Sequence, residues 1–511
     1  MKIFLKFLVL FASVYGCFCH KEEKDDVIST FKNKAIRSKS RAEIYRETTK
    51  EFWKHEAIKA VKDRLKRRLN FNTAKNVIFL MGDGMSISTI SATRVYMGGE
   101  EMSLAFDTFP YTGLCKTYCV DNQTPDSACS ATAYLGGVKA NLGTIGVTAA
   151  VQPKNCTAAR LKENRVDSLA RIFQLDGRKT GLVTTTRVTH ASPAGIYAHT
   201  SNRHWESDSD VIKSGKNPSD CEDIAHQLVF GETGQNLNVI LGGGSKYFLP
   251  QTDEQGIRLD QENLIEEWQN IKKRQNKKFE YVWNKKQLMT VDNVTDYLLG
   301  LFNSGHMDYN LDRNKETVPS LEEMTEAAIK ILSKDNTGYF LFVEGGRIDT
   351  AHHFNLARKA IDETAEFSKA IQKAVDLTNQ EDTLIIVTAD HAHTMSYAGY
   401  AERGSDIFGF AGTASDNLPY TILNYANGPG YKPTRQVPTI TEIENKDFVW
   451  PATAPRQKET HGAEDVGVYA KGPWAHFFTG VMEQNVLPYL ITLASCINPD
   501  FSCKEIKPKF A

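Results

Sequence analysis

The chain of 511 residues lacks several things whose absence narrows what it can be. It has no charge of one sign in excess: 61 Lys and Arg stand against 62 Asp and Glu. A net charge of −1 gives no global attraction to nucleic acid or to an anionic membrane, so affinity for a charged ligand has to come from a local site. No apolar run is long enough to span a bilayer, and Phe7 to Val14 is too short. The last apolar stretch, Val486 to Ala494, is followed by a polar tail, so no lipid-anchor signal is seen and a soluble form is expected. There is no internal repeat and no Gly/Ser-rich linker that would divide the chain.

The N-terminus reads as a secretory signal. Lys2 and Lys6 precede the apolar Phe7–Val14 run, and small residues such as Gly16 follow. We assign residues 1–19 to it, with the cut between 16 and 20, and expect a secreted, extracellular protein. Residues 20–45 are charge-dense, as in a mobile arm. Residues 46–511 are expected to form a single catalytic domain, with an insertion at about 400–458, where regular alternation gives way to Gly, Pro, Asn and Tyr.

Nine cysteines are present, and Cys17 and Cys19 lie at the signal. In an oxidising compartment most of Cys115, Cys119, Cys129, Cys156, Cys221, Cys496 and Cys503 should pair. Cys496 and Cys503 are close enough to close a local loop; one cysteine has to stay unpaired or bond another chain. Sequons at Asn122, Asn155 and Asn293 are candidate glycosylation sites.

Five short apolar or β-branched runs read as buried strands: 76–81, 181–186, 238–241, 339–343 and 383–388. Helical patterns lie between them, including Ser320 to Leu332, which opens with a Ser320/Glu323 capping box, and Leu356 to Leu377. This alternation predicts an α/β protein with a large, mostly parallel sheet.

Three of the strands stop at residues able to bind metal: Met81-Gly82-Asp83-Gly84, Glu344 with Asp349 following, and Thr388-Ala389-Asp390-His391. Sites in open α/β sheets form outside the carboxyl ends of strands. A lone Asp there is commonly a turn or cap; three converging strands point to one shared site. Asp349 and His353, four apart, share one helix face, and His461 offers a further nitrogen. Carboxylates with imidazoles and no cysteine suit zinc at N/O sites and magnesium at an oxygen site. Ser127, in Pro125-Asp126-Ser127-Ala128, precedes a helical stretch whose N-terminus favours an anion.

Together with Thr186-Arg-Val-Thr-His-Ala-Ser192, Asn202-Arg203 and Thr460-His461, these stretches resemble the alkaline phosphatase family, in the family's order and over some four-fifths of the chain. The resemblance implies a central sheet sandwiched between helices, with the insertion as a crown at a homodimer interface. It implies hydrolysis of phosphate monoesters through a phosphoserine on Ser127, with Arg203 clamping phosphate. It places one zinc on Asp349, His353 and His461, a second on Asp83, Asp390 and His391, and magnesium on Asp83, Ser192 and Glu344. His190 and Asp126 would support these ligands from behind. The peripheral calcium site of vertebrate members is expected to be absent or altered, since Asn303 and Val318 stand where acids are expected. A phosphodiesterase or sulfatase of the same superfamily is the alternative enzyme, although Ser127 lacks the C/S-x-P-x-R context of sulfatases. A binding protein with a dead site is the alternative outside catalysis.

Overall fold

A computed structural model describes residues 46–498. The signal, the charged arm and Cys503 therefore lie outside the described residues. All five expected strands form, within two residues of their expected ends: β1 (Asn76–Gly82), β3 (Lys179–Arg187), β4 (Val239–Gly243), β7 (Tyr339–Gly345) and β8 (Thr383–Ala389). Five more join them: β2 (Tyr111–Lys116), β5 (Phe279–Val282), β6 (Tyr297–Leu301), β16 (Val466–Lys471) and β17 (Gly480–Glu483). The ten-stranded sheet has the order β17-β2-β16-β8-β1-β7-β3-β4-β6-β5. Only β16 runs against the others.

The centre of the sheet is continuously apolar because both faces are covered. Successive side chains of a strand point to opposite faces. On β7, Phe340 meets Phe173 of the helix Leu169–Leu175 at 5.3 Å between ring centres. Phe342 stacks with Phe79 of β1 and with Tyr134 of the helix Ser127–Gly136. On the other face, Gly345 abuts the Phe367 ring, from the helix Ala357–Asp376. Gly181 of β3 likewise abuts Leu332, from the helix Leu321–Leu332. That last helix opens with the expected box: Ser320 Oγ accepts from Glu323 N, and Glu323 accepts from Ser320 N. The result is the expected helix–sheet–helix sandwich.

Register fixes the site. Met81 of β1 is paired with Glu344 on one side and Thr388 on the other, and Glu344 is paired with Thr184 of β3. Asp83, Glu344 and Asp390 therefore emerge at the carboxyl ends of three adjacent parallel strands.

Residues 395–455 build a separate small layer: β10 (Met395–Tyr397), β13 (Leu423–Gly428) and β14 (Ala452–Pro455) in one sheet, and the hairpin of β11 (Phe410–Thr413) and β12 (Pro419–Thr421). It has its own core around Phe408, Leu423, Tyr425 and Trp450, which also takes in Ala92, Val95, Ala357 and Ile361. The layer is thus packed on two helices of the main body.

Two bridges form, Cys119–Cys129 and Cys156–Cys221, and Cys496 is disulfide-bonded as well. Cys115, buried in β2, is the free thiol among the described residues. Asn122, Asn155 and Asn293 are all exposed, and Asn155 also caps a short helix. Among the described residues, no helix is long and apolar enough to cross a membrane.

Phe79 is fully buried in the aromatic stack behind Ser127. Phe79→Ala is expected to lower the unfolding free energy by about 3–5 kcal/mol, read by denaturant titration. A loss under about 1 kcal/mol would mean the stack does not hold the sheet to this helix.

Candidate active site

Asp126 caps the helix Ser127–Gly136, its Oδ1 accepting from Cys129 N. The cap makes Ser127 the first helical residue. Ser127 Oγ is buried, 3.2 Å from His391 Nε2 and 3.5 Å from Asp83 Oδ1.

Two clusters of acceptors lie at this end of the sheet. In the first, Asp349 Oδ1 is 3.3 Å from His353 Nε2 and 3.4 Å from His461 Nε2. The expected i,i+4 pair is real, on the helix Arg347–His353. His353 Nδ1 donates to the Glu459 carbonyl and His461 Nδ1 to the Pro125 carbonyl, at 2.6 and 2.7 Å. Those carbonyls fix the tautomers, so both Nε2 atoms are lone pairs. They nevertheless face each other at 3.2 Å. Burial and neighbouring imidazoles hold His353 down at about 4 despite Asp349. Two lone pairs and a carboxylate aimed at one point fit a cation.

The second cluster surrounds Asp83. Asp390 Oδ1 accepts from Gly84 N and His391 N, each at 2.9 Å, and His391 Nε2 lies 3.3 Å from Asp390 Oδ2. Asp83 Oδ2 and Asp390 Oδ2 are buried with no hydrogen-bond partner. Such orphaned carboxylate oxygens are costly without a counter-charge. Glu344 Oε2 accepts from Thr184 Oγ1 and Thr186 Oγ1, with the buried Ser192 hydroxyl beside the carboxylate. Ligand atoms of Asp83, His190 and Glu344 all lie within 4.8 Å of one another, as do those of Asp83, Asp349 and His391. Burial, then the mutual repulsion of Asp83, Asp390, Asp349 and Glu344, drives the Asp83 carboxyl well above its ordinary range. Burial and like charge push Asp390 to about 6 and Glu344 to about 7. The donor set suits divalent cations: oxygen-rich at Asp83 and Glu344, mixed N/O elsewhere.

Arg203 supplies the fixed positive charge. Its Nη1 donates to Asp126 Oδ2 at 2.9 Å, and its Nη2 lies 3.2 Å from His190 Nε2. His190 therefore stands between the guanidinium and the Asp83/Glu344 pair, and burial plus Arg203 keep it neutral. His352 points away, as its place beside His353 implies, to Thr89 Oγ1 and Tyr425 OH. Cys119, Asp126 and Cys129 also converge, but the two sulfurs are bonded to each other and bind no ion.

Two residues were not expected. His393 Nε2 contacts Asp349 Oδ1 at 2.8 Å, while its Nδ1 contacts Glu459 Oε2. Burial lowers the basicity of His393, but Glu459 and Asp349 outweigh it and raise it to about 10. His393 faces His461 across the β9 (Ala392–His393) and β15 (His461–Gly462) pair. The signal was present in Asp390-His-Ala-His393, where alternation puts the second imidazole beside the first. Gly84 has φ +68°, and a Cβ there would lie 2.3 Å from the His393 ring and 3.2 Å from Asp349 Cα. Only glycine lets β1 turn this tightly under the site.

The raised carboxyls of Asp390 and Glu344 set a pH signature. Their folded-state values exceed the unfolded ones, so their stabilisation of the metal-free protein is full below about pH 4 and is lost as pH rises through 6 to 7. Bound cations select the ionised forms and reverse that trend. Melting temperature with divalent metal, minus that with chelator, is expected to widen from about pH 5 to 8; a constant difference would contradict the cation reading.

The alkaline phosphatase family profile matches residues 74–497. The membrane-bound alkaline phosphatase of Bombyx mori is 45% identical over 475 residues, covering 89% of this chain and 86% of that protein. The tissue-nonspecific isozyme of Felis catus is also 45% identical, covering 88% of this chain and 90% of its own. Among solved structures, the Thermus thermophilus alkaline phosphatase superposes with a TM-score of 0.61 at 21% identity, covering 86% of this chain and 95% of that one. The enzyme of the Antarctic bacterium TAB5 gives 0.60 at 24%, covering 84% and 100%; these two likenesses speak to the fold. A profile spanning most of the chain, and relatives of nearly half identity along almost its whole length, establish that this chain belongs to the alkaline phosphatase family, hydrolases of phosphate monoesters.

Proposed function

We propose that Ser127 Oγ attacks the phosphorus of a phosphate monoester, expelling the alcohol and leaving a phosphoserine that water then cleaves to inorganic phosphate. The observation that carries this is a buried hydroxyl at a helix N-terminus, 3.2 Å from His391 Nε2 and 3.5 Å from Asp83 Oδ1 of the second acceptor cluster. Asp349, His353 and His461 would hold one zinc; Asp83, Asp390 and His391 a second; Asp83, Ser192 and Glu344 a magnesium. Divalent ions at such sites supply Lewis acidity, which makes serine and water nucleophilic near neutral pH and neutralises the attacking and leaving oxygens of an in-line displacement.

The chain's own groups do the rest. A phosphate monoester carries about two negative charges near neutral pH. Arg203, fixed by Asp126 and His190, presents a planar fork that suits two phosphate oxygens. The helix beginning at Ser127 favours negative charge at that point. His393, pinned by Glu459, holds the Asp349 carboxylate in orientation. Recognition centred on the phosphoryl group leaves the alcohol loosely specified, so many leaving groups should be accepted.

The same reading takes the protein to be secreted, from its N-terminal pattern, and glycosylated at the exposed Asn122, Asn155 and Asn293. It makes the 395–455 layer the meeting surface of a homodimer. It takes the peripheral calcium site of vertebrate members to be absent or altered, because Asn303 and Val318 supply no carboxylate.

Hydrolysis of a chromogenic monoester at alkaline pH, with zinc and magnesium and again after chelation, tests the reaction. Ser127→Ala is expected to lower kcat by at least about 10³-fold with the fold and metal content retained; near-normal turnover would sink the assignment. Arg203→Ala is expected to weaken inhibition by inorganic phosphate by about 10- to 100-fold. An unchanged phosphate constant would remove Arg203 from the phosphate site.

A further inference from the structure

The Cys119–Cys129 bridge closes a loop of chain that carries Ser127. Inside it lie Pro125, Asp126 and Ser127, and each serves a different part of the site. Pro125 offers the carbonyl that accepts from His461 Nδ1 at 2.7 Å, which aims Nε2 at Asp349. Asp126 accepts from Arg203 Nη1 at 2.9 Å and from Gly143 N at 3.1 Å. Ser127 carries the attacking oxygen.

The loop that bears these residues is held by individual polar contacts, among them Lys139 Nζ to the Tyr118 carbonyl at 3.0 Å, and the bridge is its one covalent tie. Residues 117–126 form no helix or strand. Tyr118, Val120, Asp121, Asn122 and Gln123 are exposed, along an open groove of about 600 Å³. Cys119, Cys129 and Ala140 form a three-residue apolar cluster separate from the main core. Beyond the bridge, the loop's outer part is held by bonds such as Val120 N to Ala140 O and Leu142 N to Asp121 Oδ1.

We propose that the Cys119–Cys129 bridge is a positioning device for the reaction, fixing the loop from which Pro125, Asp126 and Ser127 orient His461, Arg203 and the attacking oxygen. It rests on Ser127 being the nucleophile. Cys115, four residues away, is the nearest free thiol in sequence. Burial pushes its thiol to about 12, so it supplies almost no thiolate to exchange with the bridge.

The second bridge supplies a control within the same molecule. Cys156–Cys221 spans 65 residues of sequence, against 10 for Cys119–Cys129. On the chain-entropy account the longer loop gains more stability from its cross-link. The two bridges should therefore dissociate. Cys119→Ser with Cys129→Ser is expected to lower kcat by about 10-fold or more, because small misplacements of reacting groups are costly, and to weaken phosphate inhibition, with the smaller fall in melting temperature. Cys156→Ser with Cys221→Ser is expected to leave kcat within about 2-fold and to show the larger fall in melting temperature.

Unchanged kcat and phosphate inhibition in the first variant, whatever its melting temperature, would overturn the proposal. If that variant does not fold, the native protein is treated with limiting reductant and alkylated. Activity should then fall in step with labelling of Cys119 and Cys129; a fall that follows Cys156 and Cys221, or none at all, overturns it. Turnover surviving Ser127→Ala would instead remove the nucleophile reading itself, whatever the bridge variants show.

Discussion

Uncompensated negative charge and unshared lone pairs at the carboxyl edge of the sheet are what the rest of the structure is arranged around. Asp83, Glu344 and Asp390 leave three adjacent parallel strands, and a fourth carboxylate, Asp349, comes from the helix that follows β7. In protein alone this arrangement is unfavourable, which is why Asp83, Glu344 and Asp390 hold their protons so tightly. Cations turn the same repulsion into binding. A substrate anion can then approach a site that its acidic residues alone would repel.

Everything nearby restricts motion in that cluster. Backbone carbonyls fix the tautomers of His353 and His461, Glu459 pins His393, and Thr184 and Thr186 pin Glu344. Asp126 joins the helix cap to the Arg203 guanidinium, so the orientation of the proposed phosphate clamp depends on the same residue that starts the helix at Ser127. The 395–455 layer reaches the site too, through Tyr425 to His352 and through Asn427 to Thr460. Electrostatic preorganisation of this kind is effective because it is already in place when charge develops.

Much of this was legible in the sequence, for a physical reason. Buried parallel strands are continuous apolar runs, and an acid at the end of such a run stands out; β1, β7 and β8 announced Asp83, Glu344 and Asp390 in that way. The capping box at Ser320 and the i,i+4 pair at Asp349 and His353 are local signals, and both hold. What stayed hidden depends on pairing rather than on local pattern. β2 alternates between exposed and buried positions, while β5 and β6 are short, at four and five residues. His393 and Glu459 acquire their roles only when β9 meets β15. The pairing of Cys119 with Cys129 rather than Cys115 was open for the same reason: β2 buries Cys115 in the main core.

The most direct test of the account is elemental analysis of the purified protein, counting divalent metal per chain alongside turnover. Two zinc ions and one magnesium per chain in fully active protein is the expected result. Full activity in protein that carries no divalent metal would contradict the account at its root, because the converging lone pairs and orphaned carboxylates would then have some other purpose.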